Sequence, residues 1–135
     1  MPKWIPQLSK KKNCGQIALS VVTDLPLEEI TKVVNKKGCT RTKDLVIALR
    51  KLGYSCPNRC RKFKLPLPNL AIAQLRIPYR KSGWHWVAIV NGRIYDGIFG
   101  SFDGTVKWPL GAKMTSLLPI EKSRQFDEIK YNYKI

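Results

Sequence analysis

A cysteine near the amino terminus and the only histidine of this 135-residue chain are considered first, because a thiol and an imidazole together can perform nucleophilic chemistry. Asn13, a favoured N-cap residue, precedes a segment whose apolar residues have the spacing of one helix face: Cys14, Ile17, Ala18, Val21 and Val22. Cys14 is therefore predicted in a first helical turn, where unpaired amides and the helix dipole favour the nucleophilic thiolate.

The histidine and an aspartate are predicted to share one face of a β-hairpin. Two strand-like runs, 84–90 and 93–98, flank Asn91-Gly92, which is a strong signal for a two-residue hairpin turn. With that turn, alternation places six side chains on one face: His85, Val87, Ile89, Ile94, Asp96 and Ile98. His85 and Asp96 are then diagonal neighbours, roughly 7–8 Å apart at the backbone. A carboxylate at that distance can orient the imidazole and favour its protonated form.

Each of these residues also has a structural interpretation. Cys14 alone is compatible with a small apolar residue at the start of a buried stripe. His85 alone is compatible with a hydrogen-bonded histidine in a sheet, and Asp96 with an aspartate before the turn at Gly97. The presence of His85 and Asp96 on one otherwise apolar face favours a functional pair.

The chain is strongly basic, with 25 Lys and Arg residues against nine Asp and Glu residues and a formal net charge of +16. Such an excess favours anionic partners: nucleic acid, an acidic protein or an anionic membrane surface. It equally suits a solubilising surface, and neither a nucleic-acid motif nor a phosphate-binding loop is recognised in the sequence. A basic connection over residues 55–69, which contains Phe63, is predicted as a loop or flap.

Length and composition favour one folded domain over residues 1–135, with 44% apolar residues. No apolar run approaches the roughly 20 residues that span a bilayer, and residues 1–6 lack the apolar core of a signal peptide. We therefore expect a soluble, cytoplasmic protein with no membrane span. The sequence does not indicate an oligomeric state.

The remaining cysteines, Cys39, Cys56 and Cys60, are expected to be reduced in that compartment. Three thiols could begin a zinc site, but its fourth ligand would have to be Cys14 or the only histidine. We therefore predict no metal and no cofactor.

The other predicted elements complete an α+β domain in which helices pack on one antiparallel sheet. Helices are predicted from Pro26 to Lys37, with Gly38 at C′, and from a Thr42 cap to a stop at Gly53. Later segments are assigned from alternation and turn residues: strand 70–77, turn 99–104, strand 105–108, strand 114–120 and an edge strand within the tail 121–135.

The order of these residues resembles that of papain-like cysteine peptidases, and most closely the C39-like branch, which includes the leader-peptide peptidases of bacteriocin exporters. The resemblance spans residues 7–98. Its motifs are short, so that their order and spacing are more specific for the family than any single motif. They are Gln7, Asn-Cys-Gly-Gln-Ile-Ala at 13–18, the segments 38–45 and 48–53, Trp-His-Trp-Val-Ala-Ile at 84–89, and Ile-Tyr-Asp at 94–96.

This resemblance implies a papain-like fold with a cleft between the Cys14 helix and the His85 sheet. Cys14 would be the nucleophile, His85 the general base and acid, and Asp96 the residue that orients His85. Gln7 and the Cys14 amide would form the oxyanion hole, although Gln7 alone is also compatible with an ordinary surface glutamine. Asn13 stands where the family often has Asp, and residues 99–135 match no family motif.

The implied reaction is acyl transfer through a thioester, with a protein or peptide as substrate and an acidic one favoured by the net charge. Two alternatives remain open. One is a catalytically silent basic binding module on the same scaffold, which would engage nucleic acid or an acidic partner protein. The other is transamidation, which uses the same three side chains with an amine as acceptor.

Overall fold

Helices occupy the amino-terminal half of the chain and strands the rest, in a computed structural model that describes residues 13–62, 66–77, 84–97, 100–103 and 113–122. The helices of these ranges are α1 (Cys14–Thr23), α2 (Leu27–Val34) and α3 (Thr42–Lys51). The strands are β1 (Tyr54–Ser55), β2 (Arg61–Lys62), β3 (Leu70–Arg76), β4 (Trp84–Val90), β5 (Arg93–Asp96), β6 (Gly100–Asp103), β7 (Lys113–Pro119) and β8 (Glu121–Lys122).

Six of these strands form one antiparallel sheet in the order β2-β7-β3-β4-β5-β6. The short strands β1 and β8 pair separately. The class is therefore α+β, with helices and an antiparallel sheet as predicted. Because β3 and β4 lie in the middle of the sheet, they provide a rigid support for whatever their side chains carry.

The predicted hairpin is confirmed in its turn and its register. Asn91 and Gly92 both have positive φ angles, 51° and 79°, as a two-residue turn of this kind requires. Ile89 pairs with Ile94, and Val90 pairs with Arg93. This register is what brings the start of β4 and the end of β5 to the same level of the sheet.

The two faces of the sheet cover different hydrophobic clusters. The helical cluster lies on the α1 side and includes Trp86 and Ala88 of β4. The opposite cluster includes Val87 and Ile89 of the same strand. This alternation is the expected consequence of the two-residue period of a strand, and it assigns His85 to the face of Val87.

The boundaries of α2 and α3 differ from the prediction. α2 ends at Val34, not Lys37, because Asn35 adopts a left-handed conformation with φ 59° and donates its amide to the Thr31 carbonyl at 2.9 Å. The N-cap of α3 is Arg41, not Thr42, and its amide donates to the Asp44 carboxylate at 2.8 Å. The Asp44 carboxylate thus accepts the amide of the N-cap residue from inside the first turn, and the predicted cap at Thr42 is wrong.

Two strands lie where loops were predicted. Arg61–Lys62, within the predicted basic connection, pairs with β7, and Gly100–Asp103, within the predicted turn, pairs with β5. Short edge strands of this kind form by backbone hydrogen bonds to a neighbouring strand. Their side chains therefore show little of the alternation from which a strand is predicted. The predicted strand 105–108, Phe63 and the tail beyond residue 122 lie outside the described residues.

The second residue of α1, Gly15, allows the chain around Thr40 to approach the helix closely. A β-carbon added at Gly15 would collide with Thr40 Oγ1 and would lie 3.1 Å from Thr40 Cβ and 3.3 Å from Leu45 Cδ2. A β-carbon at Gly38, by contrast, would meet no atom within 4 Å. Contact with Thr40, and not backbone freedom, therefore accounts for the glycine at position 15.

Gly15→Ala is expected to reduce the free energy of unfolding by roughly 1–2 kcal/mol. Overpacking costs about 1–3 kcal/mol and outweighs the gain of up to about 1 kcal/mol from replacing a helical glycine. Chemical denaturation measures the change, and Gly38→Ala is the matched control, expected within about 0.5 kcal/mol of wild type. Thr40→Ala should relieve part of the Gly15→Ala loss, and equal effects at Gly15 and Gly38 would contradict the close approach.

Candidate active site

His85 and Asp96 form a buried pair at the predicted position on the hairpin. The imidazole Nε2 and the carboxylate Oδ1 are 2.7 Å apart. His85 is 2% exposed and Asp96 is fully buried, so that water competes little for this hydrogen bond. The pair joins the second residue of β4 to the last residue of β5.

The Cys14 side chain lies close to the same imidazole and, as a hydrogen-bonding and charged neighbour, helps to raise its pKa. Because Nε2 is engaged with Asp96, Nδ1 is the nitrogen left for the sulfur. Cys14 is only partly buried and is the first residue of α1. Thiol, imidazole and carboxylate thus form one continuous chain of contacts, with the sulfur at its more accessible end.

The pKa of His85 is raised from 6.5 to about 9 by these neighbours. Burial alone would lower it, because a charged imidazolium is poorly solvated in the interior. The hydrogen bonds to Asp96 and Cys14, together with the negative charges of those groups, outweigh burial. The environment therefore favours the imidazolium, the form that can donate a proton.

The start of α1 provides hydrogen-bond donors beside the sulfur. The Ile17 amide donates to the Asn13 carbonyl at 3.0 Å, which makes it the first amide of the helix with an intrahelical partner. The amides of Cys14, Gly15 and Gln16 precede it and have no acceptor within the helix. Asn13 is the N-cap residue as predicted, but its side chain makes no capping hydrogen bond. The expected side-chain cap is therefore wrong.

The contact between Cys14 and His85 occurs where β4 begins. Cys14 packs against the helical cluster, whereas His85 pairs with Leu75 and shares the face of the opposite cluster. The start of α1 and the start of β4 must therefore meet at one end of the sheet. Among the elements described, α1 has its most extensive contacts with β4, which holds this arrangement in place.

Gln16, whose role the sequence analysis missed, fixes the loop between α2 and α3 beside the site. Its buried Nε2 donates to the Lys36 carbonyl at 3.0 Å and to the Gly38 carbonyl at 2.8 Å. Trp86 Nε1 donates to the Thr40 carbonyl at 3.2 Å from the sheet side. A polar residue within the apolar run of α1 was the available sequence signal, but only the folded chain identifies its acceptors.

The other cysteines have different surroundings. Burial raises the pKa of the Cys56 and Cys60 thiols, which disfavours their thiolates. Cys39 is exposed. Within the ranges that the structure describes, no three His, Cys, Asp or Glu side chains are grouped as metal ligands. Gln7, the expected side-chain donor of the oxyanion hole, lies outside those ranges.

No protein-family model and no curated protein matches this chain. None of the described helices is long and apolar enough to cross a membrane. The fold and the site together define an α+β domain in which Cys14, His85 and Asp96 lie near one another at one end of the sheet.

Proposed function

We propose that this protein is a cysteine peptidase, or a related thiol amide hydrolase, with a papain-like architecture. The observation that carries the proposal is the double engagement of one buried imidazole, by Asp96 at 2.7 Å and by the Cys14 side chain. A histidine that relays a proton needs an orienting acceptor at one ring nitrogen and a nucleophile at the other.

The order of elements supports the architectural part of the proposal. A helix that begins with the cysteine precedes an antiparallel sheet that carries the histidine and then the aspartate. This is the order expected from the resemblance to C39-like peptidases. The resemblance also assigns Gln7 to the oxyanion hole, and that assignment is part of the proposal.

In the proposed acylation step, the Cys14 thiolate forms a bond from sulfur to the carbonyl carbon of an amide. The carbonyl π electrons move to oxygen, where the first amides of α1, which have no acceptor within the helix, can stabilise the charge. As the C–N bond breaks, the His85 imidazolium gives its proton to the departing amine. Asp96 keeps the ring oriented and stabilises its charge.

Deacylation reverses the role of the imidazole. Neutral His85 takes a proton from a water molecule as the water oxygen attacks the thioester carbonyl. The C–S bond then breaks, which releases the carboxylic acid and restores the thiolate beside an imidazolium. An amine that replaced water would give transamidation, so that the accessibility of water at this step decides between the two reactions.

We take a protein or peptide as the substrate, and the cytoplasm as the compartment. All four cysteines are free, which suits a reducing environment and a reaction that requires a thiolate. The formal net charge of +16 favours substrates with acidic segments.

Cys14→Ala is expected to abolish covalent labelling by a peptidyl vinyl sulfone and hydrolysis of a quenched-fluorescent peptide library. The reason is that the sulfur is the atom that becomes acylated. Mass spectrometry of the labelled protein identifies the modified residue, and circular dichroism confirms that the variant is folded. Cys39, exposed and without a histidine partner among the described residues, is the internal control and should label much more slowly at pH 6–7. Equal labelling of Cys14 and Cys39 would refute the assignment.

A second candidate function rests on a separate observation. A groove of about 530 Å³ includes the exposed cations Arg61 and Lys62 and the apolar side chains of Leu67 and Leu117. A basic binding module would use such a surface without chemistry at Cys14. Retention of nucleic acid that falls steeply with salt and is unchanged by Cys14→Ala, without any peptide hydrolysis, would favour this function.

A further inference from the structure

Three exposed side chains form a row across the end of the sheet, which we name the terminal row: Trp84, Arg76 and Lys113. Arg76 pairs directly with Trp84 on β4 and with Lys113 on β7. Directly paired residues of antiparallel strands point to the same face. Trp84 is 49% exposed, although it immediately precedes the buried His85. At this exposure the indole ring is available for contact with a ligand.

The terminal row lies on the face of the sheet that α1 covers. Trp84 is two residues before Trp86, which belongs to the helical cluster, so that strand alternation assigns both to one face. Cys14 packs against the same cluster and contacts His85, the neighbour of Trp84. The row is therefore on the same face and at the same end as the candidate nucleophile.

The charge of the row is positive and uncompensated by described groups. The Arg76 guanidinium lies over the Trp84 ring, 5.8 Å from its centroid, which restricts the guanidinium without neutralising it. No carboxylate in the described ranges forms an ion pair with Arg76 or Lys113. The row thus presents two cations and an aromatic edge to whatever approaches Cys14.

We propose that the terminal row binds an acidic segment of the polypeptide substrate next to the scissile amide, an inference that rests on the proposed peptidase function. Adjacent strands are about 4.8 Å apart, so that the row spans roughly 10 Å, the length of about three extended residues. Arg76 and Lys113 would each take a carboxylate. Trp84 would contact the apolar part of the same segment.

The favoured partner is a peptide and not a nucleic acid. Single-stranded nucleic acids bind mainly by stacking bases on open aromatic faces. One face of Trp84 is already covered by Arg76, which reduces the room for stacking. A carboxylate needs only the outward N–H groups of the guanidinium, and these remain available in this arrangement.

The test compares two peptidyl vinyl sulfones that differ only in two residues beside the reactive group, Glu-Glu in one and Lys-Lys in the other. The second-order rate constant for labelling Cys14 is expected to be about tenfold higher for the acidic probe at low ionic strength, and the ratio should fall with salt. In the double variant Arg76→Glu, Lys113→Glu the ratio should fall below one, because the row then repels carboxylates.

The matched control is Lys43→Glu, Lys51→Glu, which makes the same change in net charge at exposed positions of α3. This control variant should keep the wild-type ratio of labelling rates. A ratio below one in the control would show that net charge, and not the terminal row, determines the preference. Iodoacetamide, which is small and neutral, should alkylate Cys14 equally fast in both double variants. If wild type reacted equally fast with the two probes and normally with iodoacetamide, the proposed binding of acidic segments by the terminal row would be refuted. The peptidase proposal would be unaffected.

A binding measurement tests the role of the terminal row independently of peptidase activity. Fluorescence anisotropy with a labelled peptide of the acidic sequence, without the reactive group, measures affinity for the Cys14→Ala protein. Row-dependent binding would support the inference even if Cys14 proved unreactive, and its absence would overturn it. An eight-nucleotide single strand that displaced this peptide more strongly than an unlabelled copy of the peptide would also overturn it, in favour of nucleic acid.

Discussion

Replacement of His85 by glutamine is expected to lower the rate of peptide hydrolysis by about 10³-fold or more. The imidazole interacts with both the sulfur and the buried carboxylate, and it is the proton donor of the proposed acylation. Glutamine retains an N–H that can reach Asp96, which limits the cost of leaving a buried carboxylate without a donor. The rate constant kcat on a peptide substrate is the measurement.

The alkylation rate of Cys14 by iodoacetamide at pH 6–7 should fall in the same variant, because the thiolate loses its imidazolium partner. Cys39 in the same sample should react at an unchanged rate and reports on any general change in exposure. An unaltered Cys14 rate in His85→Gln would mean that the imidazole does not activate the sulfur, and the peptidase proposal would fail.

Asp96→Asn is expected to reduce kcat by roughly 10²- to 10⁴-fold with the fold retained. The substitution keeps the shape of the side chain and removes its charge. Because burial acts to lower the pKa of His85 and Asp96 is a main group opposing it, the pKa should fall well below its wild-type value of about 9. The chain has one histidine, so that its imidazole NMR signals give this titration without ambiguity.

The raised pKa of His85 also determines how the free energy of unfolding depends on pH. Wild-type His85 holds its proton when folded up to about pH 9, whereas an unfolded histidine releases it near 6.5. The stabilising contribution of the protonated ring is therefore complete below pH 6.5 and is lost as the pH rises through about 9. In the variant this contribution should be much reduced. A His85 titration that is identical in wild type and Asp96→Asn would contradict the proposed role of the carboxylate.

The hairpin shows what a sequence of this kind can predict. Asn91-Gly92 has a narrow set of turn geometries, and once the turn is known, alternation determines which residues share a face. The adjacency of His85 and Asp96 was therefore accessible without coordinates. The helical stripe that begins at Cys14 was accessible for the same reason, since it depends only on local periodicity.

The contacts between distant segments were less accessible. The hydrogen bonds from Gln16 to the Lys36 and Gly38 carbonyls depend on how the loop after α2 crosses α1, and no local pattern encodes that path. The close approach of Thr40, in the same loop, requires glycine at position 15. The proximity of Cys14 to His85 was inferred only from the resemblance to C39-like peptidases, because periodicity cannot relate a helix to a strand so far along the chain.

His85 and Asp96 are carried by one hairpin, whereas the sulfur belongs to a helix that the ribosome makes much earlier. During synthesis the nascent chain thus contains Cys14 before its proposed proton-transfer partners have been translated. The thiol of an unfinished chain has no imidazole from its own chain beside it, and under the proposed mechanism its acylation begins only when β4 and β5 have formed. Under that mechanism, acylation of Cys14 by a neighbouring polypeptide has to wait until the hairpin has been translated and folded.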